Sequence, residues 1–263
     1  MKIGFIGVGA MAKAIIQGLL NSKFISSEDI LVHSAHKDNY ENYAKKFDLT
    51  SASSNTELVQ KSDYIILAVI PAVVKPVLEE VRTSLNRKVL LSIASGISLA
   101  RLEELTDYNL PILRCLPNVN SEFGQGMTAV AANENLVGEQ KKTALNIFEA
   151  TGVVLNLPED KFANFSAISG SAVAYVDLFI DCLSRAGVKY GFSKKDATNI
   201  AAQTTLGSAI SLLKSKKTPA DMIDTVCSPG GDTIEGILAM EQAGMLNSVV
   251  KGIDATIKKS TGK

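Results

Sequence analysis

Two short stretches bring together residue types that could do chemistry. The first is Ile6-Gly7-Val8-Gly9-Ala10-Met11-Ala12, which closes an apolar run and opens an amphipathic one. Gly7, Gly9 and Ala12 form G-x-G-x-x-A between a strand-like and a helix-like segment, the setting in which that spacing binds a dinucleotide. Gly7 permits the tight turn, Gly9 lets the backbone approach a pyrophosphate, and Ala12 lets the helix pack closely on the sheet. The helix start offers its free N–H groups and positive dipole end to the anion. An ordinary strand–helix turn is the alternative reading. Where an acid after the second strand would hold a ribose 2′-hydroxyl, the chain reads His33-Ser34-Ala35-His36-Lys37. Ser34 and Lys37, with His36, suit a 2′-phosphate instead, so the expected cofactor is NADPH, with NADH also open. The alternative leaves His36 and Lys37 as solvated loop residues. His33 falls on the strand and is expected to be a packed histidine.

The second stretch is Val226-Cys-Ser-Pro-Gly-Gly-Asp-Thr-Ile234, between two helix-like segments. Ser228, Gly230, Gly231 and Thr233 supply hydroxyls and unhindered backbone N–H groups at a helix start, which makes an anion-binding nest. With the pyrophosphate already placed, this nest suits a substrate carboxylate; a plain helix–helix turn would explain the Pro-Gly-Gly but not the flanking Ser and Thr. Cys227 reads as a small buried hydrophobe. Other chemistries are disfavoured by supply. Only two histidines, His33 and His36, and three cysteines without a C-x-x-C pair leave no metal site, no disulfide framework and no His-centred triad.

Those loops need elements to hold them. The first half alternates strand-like runs at 2–7, 30–35, 63–69, 88–94, 112–116 and 127–132 with helix-like segments at 10–20, 38–47, 56–61, 74–85, 99–105 and 138–150. That alternation predicts an α/β, doubly wound (Rossmann) domain with a mostly parallel sheet. After 152–158 no strand-like run appears. One long helix is expected over 160–187, ended by Gly187; helices should start at Ser193-Lys-Lys-Asp196 and Thr218-Pro-Ala-Asp221, which resemble capping boxes, then after Thr233, and over 246–259. The expected domains are 1–158, nucleotide-binding, and 159–263, an all-α dimerisation and substrate-binding domain. Small residues inside the later helices suggest close helix packing and a homo-oligomer.

A chain of 263 residues with 46% hydrophobic side chains can bury a sizeable core. Lys+Arg and Asp+Glu balance at 27 each, which argues against a nucleic-acid partner. The longest uncharged apolar run, 64–74, is well short of the ~20 residues that span a bilayer. A soluble, cytoplasmic protein is the expectation.

The chain resembles pyrroline-5-carboxylate reductases along nearly its whole length. The resemblance is carried by GFIGVGAMAKAI at the start, AVIPAVVKPVL at 68–78, SIASGIS at 92–98, RCLPNVN at 114–120, AISGSAVAY at 167–175 and, most specifically, SPGGDTIEGILAME at 228–241. It implies NAD(P)H-dependent reduction of 1-pyrroline-5-carboxylate to L-proline, the last step of proline biosynthesis. It places cofactor contacts on Ile6, Gly7, Val8, Gly9, Ala10 and Met11, on Ser34, on Asn55, on Ala68, Val69, Ile70 and Pro71, and on Ala94, Ser95 and Gly96. Asn118 is a further candidate near the nicotinamide. The imine's carboxylate is expected in the loop Ser228, Gly230, Gly231, Asp232 and Thr233. Thr233, beside the ring nitrogen, is the candidate catalytic residue, as orienter or proton relay ahead of true general acid. The resemblance further implies interlocked dimers, in which that loop meets the cofactor domain across the interface, and in some cases rings of dimers.

The chain departs from the family pattern at three places. Ser169-Gly-Ser-Ala-Val-Ala-Tyr175 replaces the usual SGSGPAY, Asn120 stands where Pro is common, and Asp232 stands where Thr or Ala is common. Ala172 and Val173 are expected to reshape the pocket, and a carboxylate at 232 to weaken binding of another carboxylate unless it points away. These departures keep two rivals open: a reductase of a related cyclic imine, and a non-catalytic NADP-binding paralogue. A β-hydroxyacid dehydrogenase shares the architecture but would need an acid/base lysine absent here.

Overall fold

The computed structural model describes residues 1–262, which form two compact units divided between Ser166 and Ala167. The first unit is built on one eight-stranded sheet: β1 (Ile3–Ile6), β2 (Ile30–His33), β3 (Thr50–Ser51), β4 (Tyr64–Leu67), β5 (Val89–Ser92), β6 (Ile112–Leu116), β7 (Gly126–Ala132) and β8 (Gly152–Asn156). Its order is β3-β2-β1-β4-β5-β6-β7-β8. The helices between the strands are α1 (Ala10–Asn21), α2 (Lys37–Phe47), α3 (Asn55–Lys61), α4 (Pro71–Val81), α5 (Leu99–Leu105) and α6 (Gly138–Glu149).

Alternation along the strands sorts the core into two layers. Ile3, Phe5, Tyr64, Ile66, Val89 and Leu91 pack with Ile15, Ile16 and Leu19 of α1, Tyr40 and Tyr43 of α2, and Ile147 and Phe148 of α6. Ile6, Ile65, Leu67 and Leu90 pack on the other face with Leu58 of α3, Val74 and Leu78 of α4 and Leu102 of α5. The doubly wound expectation therefore holds, with amendments. β6 and β7 run antiparallel, and β8 is parallel to β7, so the last two strands run against the other six. β3 went unread because it is two residues long. The helix expected over 74–85 begins earlier, at Pro71, whose ring is pre-set for a first helical position, and gives way at Arg82 to a 3-10 turn.

Cys115 on β6 is fully buried, and desolvation pushes its thiol well above the ordinary value. The first unit also keeps the start of the next helix, because Phe162 is buried against Ala129 and Ala131. This α7 (Phe162–Phe165) runs through a π-helical turn (Ser166–Ser171) into α8 (Ala172–Lys189). The π-turn overlaps the segment 169–175 that departs from the family pattern.

The second unit continues with α9 (Lys194–Lys214), α10 (Pro219–Val226), α11 (Asp232–Gln242) and α12 (Met245–Thr261). Caps fix the starts: the Ser193 hydroxyl accepts from the Asp196 N–H at 3.1 Å, and Thr218 and Asp221 form a complete capping box with Pro219 in the first position. Such caps contribute about 1 kcal/mol each. Gly187 does not end α8, as the sequence suggested. It lies inside the helix, where a Cβ would stand 2.9 Å from the Cβ of Ala197, so glycine serves the close crossing of α8 and α9. Ser184 seals the same crossing through a 2.8 Å hydrogen bond between its hydroxyl and that of Thr198.

The helical run Glu159–Lys189 is long and apolar enough, by length and composition, to cross a membrane. Counting uncharged apolar runs missed it because Ser, Gly and Ala dilute the pattern. Only 6% of its most apolar window is buried, with Leu178 more than half exposed, and the later helices share that exposure: Leu206, Leu213, Leu238 and Leu246 also stand more than half exposed.

Candidate active site

In the first unit, the residues expected at a nucleotide collect at the carboxyl ends of the parallel strands. The order β2-β1-β4 makes β1 and β4 the pair at which connections leave in opposite directions, which is where open α/β sheets bind ligands. Gly7 adopts φ +97°, and a Cβ there would meet the Ala68 carbonyl oxygen at 2.4 Å; its N–H donates to the His33 carbonyl at 2.8 Å. The turn is thereby clamped between β2 and β4 and demands glycine.

Gly9 is different. Its φ of −80° suits any residue, and beyond its two chain neighbours no atom of the described residues lies within 4 Å of where its Cβ would be. Nothing in the chain's own packing requires glycine there, whereas a pyrophosphate lying against the backbone would. No side chain caps α1, and its first ladder bond runs from the Lys13 N–H to the Gly9 carbonyl. The N–H groups of the first turn therefore lie outside the helix ladder and face the loop. The residues fit a dinucleotide phosphate.

Of the remaining candidates, Ser34 is half-buried while His36 and Lys37 are exposed at the start of α2. Val69 is half-buried and Ile70 is exposed just before Pro71; Ala94 is buried, whereas Ser95 and Gly96 are exposed in the loop after β5. Asn55 begins α3 and donates from its amide to Glu80 at 2.8 Å, a partner 25 residues away that no local pattern reveals. Asn118 is buried, and its amide oxygen accepts from the Met127 N–H at 3.2 Å, which ties the β6–β7 connection to β7.

A further cluster lies nearby and went unread. The Arg114 guanidinium pairs with Glu159 and stacks 4.5 Å from the Phe162 ring centre, while Glu159 also accepts the Leu99 N–H at 2.8 Å. An arginine at an inward-facing strand position was the available signal.

In the second unit, Ser228–Gly231 is a tight turn closed by the Gly231 N–H donating to the Ser228 carbonyl at 3.0 Å. Gly230 takes φ +69°, and a Cβ on Gly231 would strike the Ser228 hydroxyl at 2.5 Å. No side chain caps α11, so the first N–H groups of that helix are offered outward alongside the Ser228 and Thr233 hydroxyls. Asp232 is exposed, and its carboxylate accepts from the Thr233 hydroxyl only at the long distance of 3.5 Å. Cys227 is half-buried at the end of α10, rather than buried as expected, because it caps a helix on an uncovered face.

Comparison with known proteins gives the chain its family. Residues 159–263 match the family described as pyrroline-5-carboxylate reductase dimerisation, and residues 2–96 match NADP oxidoreductase coenzyme F420-dependent. A pyrroline-5-carboxylate reductase of Escherichia coli is 35% identical, over 98% of this chain and 97% of its own; one from Synechocystis sp. is 34% identical, over 99% and 97%. The chain belongs to the pyrroline-5-carboxylate reductase family. A solved family structure, the Plasmodium falciparum enzyme with NADP bound, superposes with a TM-score of 0.89 at 32% identity, covering 100% of this chain and 97% of that one. Family membership and the two-part architecture thus stand as the motifs implied.

Proposed function

We propose that this protein reduces 1-pyrroline-5-carboxylate to L-proline with NADPH, as the last step of proline biosynthesis. The observation that carries the reading is the retention, within a full-length family match, of both anion-binding loops: the uncapped α1 start beside Gly7 and Gly9, and the Ser228–Thr233 turn. When bound, the reduced nicotinamide supplies the hydride equivalent that a protonated C=N bond accepts.

The chain's own residues bind and orient. Gly7, Gly9 and the first N–H groups of α1 hold the pyrophosphate, and Ser34, His36 and Lys37 take the 2′-phosphate. Ile6, Val8, Ala10, Met11, Asn55, Ala68–Pro71, Ala94–Gly96 and Asn118 complete the cofactor's surroundings. Ser228, Gly230 and Gly231 hold the substrate carboxylate, with Asp232 turned to solvent. The Thr233 hydroxyl would accept a hydrogen bond from the protonated ring nitrogen and, once hydride addition has made that nitrogen an amine, pass on to it a proton taken from solvent, leaving the ammonium form. A flat iminium fixed at its carboxylate exposes one ring face, so positioning supplies most of the catalysis.

A domain division at 158/159 is supported by the end of the last strand at Asn156 and by the family match that begins at residue 159, eight residues before the two compact units part. Self-association through the second unit, as dimers or rings of dimers, is supported by its exposed apolar helices and by the match of residues 159–263 to a dimerisation family. The same association gives Glu159–Lys189 a protein partner instead of a membrane. Cytoplasmic localisation belongs to this reading too, as does the lack of a nucleic-acid partner, the latter supported by the equal numbers of acidic and basic residues.

The test is loss of reduced-nicotinamide absorbance with pyrroline-5-carboxylate, with six-membered and uncarboxylated cyclic imines alongside. Turnover confined to the five-membered carboxylate is expected, faster with NADPH than NADH. Preference for another ring would move the assignment to a related imine reductase. NADPH binding without any turnover would indicate a non-catalytic paralogue.

A further inference from the structure

The proposed cofactor reading leaves one question of specificity, namely what fixes the turn that meets the 2′-phosphate. Ser34, His36 and Lys37 are short of fixed partners: His36 is exposed at the N-cap of α2, and the only ion pair of Lys37 among the described residues is a 3.7 Å contact with Glu41 on its own helix. Geometry must come from what flanks them.

Both flanks converge on one atom, the carbonyl oxygen of Ala52. His33 Nδ1 lies 3.0 Å from it, and the Tyr40 hydroxyl donates to it at 3.1 Å. A carbonyl only accepts, so Nδ1 carries a proton and donates. The two rings pack against each other, with centres 5.0 Å apart and planes inclined by 59°. Ala52 is buried, and its N–H donates to the Val32 carbonyl at 3.0 Å, so the anchor is itself tied to β2. Residues 34–39 are thus suspended between two side chains that share one acceptor. His33 holds a second post through its backbone, where its carbonyl receives the Gly7 N–H at 2.8 Å. A side-chain substitution leaves that second bond available, so the two jobs can be separated by experiment.

We propose that His33 is a positioning residue for 2′-phosphate recognition, holding the 34–37 turn through the Ala52 carbonyl with Tyr40 as its counterpart. This rests on the NADPH reading above. The pyrophosphate and nicotinamide are assigned to other loops, so loosening this turn penalises NADPH and not NADH.

The experiment is equilibrium binding of NADPH, NADH, 2′,5′-ADP and 5′-ADP to the full-length protein and to His33→Leu, His33→Asn and Tyr40→Phe, with circular dichroism to check folding. His33→Leu is expected to weaken NADPH and 2′,5′-ADP about tenfold, as loss of a fixed hydrogen bond would, with NADH and 5′-ADP unchanged. His33→Asn, whose amide can still donate to Ala52, should recover most of the loss. Tyr40→Phe should shift the same ratio, and it carries the test should His33→Leu fail to fold. In turnover, the KM for NADPH rises while kcat and the KM for the imine hold. An unchanged NADPH/NADH affinity ratio in His33→Leu and Tyr40→Phe overturns the proposal, and so does equal weakening of both cofactors. Wild-type protein that binds 2′,5′-ADP no better than 5′-ADP overturns the NADPH reading itself and this proposal with it.

Discussion

The two units of this chain spend their apolar residues in opposite ways. The first buries them: Phe5, Ile15, Ile66, Leu91 and Phe148 are all fully inside, in two layers either side of one sheet. In the second, the buried residues among those described are Ala167, Ser184, Ala197 and Ala201, all small, while most of its leucines and valines are exposed. A sheet wrapped by helices closes a core within one chain. A set of long helices with small residues at a tight crossing does not, and the large side chains it leaves uncovered fit the self-association proposed above. In such a protein, apparent stability belongs partly to protomer concentration.

The sharpest way to break this contrast is a pair of substitutions. Ile66→Ala should cost the first unit ~2–5 kcal/mol, read as a lowered unfolding midpoint with the oligomer otherwise retained. Leu178→Glu on α8, an exposed position in the single chain, should dissociate the oligomer in sedimentation and remove most activity. If the second unit stood alone, that change would fall within ~0.5 kcal/mol of neutral and leave sedimentation untouched.

Gly187→Ala tests the crossing of α8 and α9. An added methyl 2.9 Å from Ala197 should push the helices apart at a cost of ~1–3 kcal/mol, measured by denaturant titration. Full stability would mean that the crossing is looser than described.

Thr233→Ala sharpens the division of labour between the units. Turnover should fall at least about tenfold, ~1.4 kcal/mol of transition-state stabilisation, while NADPH affinity holds. Equal loss of cofactor affinity would tie the two functions together.

The smallest effect concerns Glu57. Bonds from Lys61 first, and then from Ser53, hold its carboxyl down at about 2, from an ordinary 4.5. A depressed carboxyl stabilises the fold fully above its ordinary value and loses that contribution as pH falls through the folded value. Glu57→Gln should therefore flatten the acid limb of a stability–pH curve between those two values. An unaltered limb would remove Glu57 from acid unfolding.

Most of the first unit was legible because its elements announce themselves locally. β1 and α1 meet at a glycine pattern, and the periods of strand and helix differ enough to separate β4 from α4. What was not legible is set by partners distant in sequence. The reversal of β7 leaves no trace in its composition, and β3 is too short to show a period. Gly187 looked like a helix stop because nothing in its neighbourhood reveals Ala197. Among the proposed site residues, Gly7, Gly9, Ser228 and Thr233 could be named from residue type and spacing. The sharing of the Ala52 carbonyl by His33 and Tyr40 could not, since it depends on the pairing of β2 with β3. The Arg114–Glu159 pair was hidden for the same reason.

The burial of Cys115 gives the first unit its own clock. A thiol reagent attacks thiolate, and this thiol is both walled off and held protonated. Labelling must wait for the sheet around β6 to open, so its rate under native conditions counts openings of that sheet. Cys182 on α8 and Cys227 just after α10 both lie outside that sheet, in the second unit. Following the three thiols separately by mass spectrometry would time the two units against each other within one molecule.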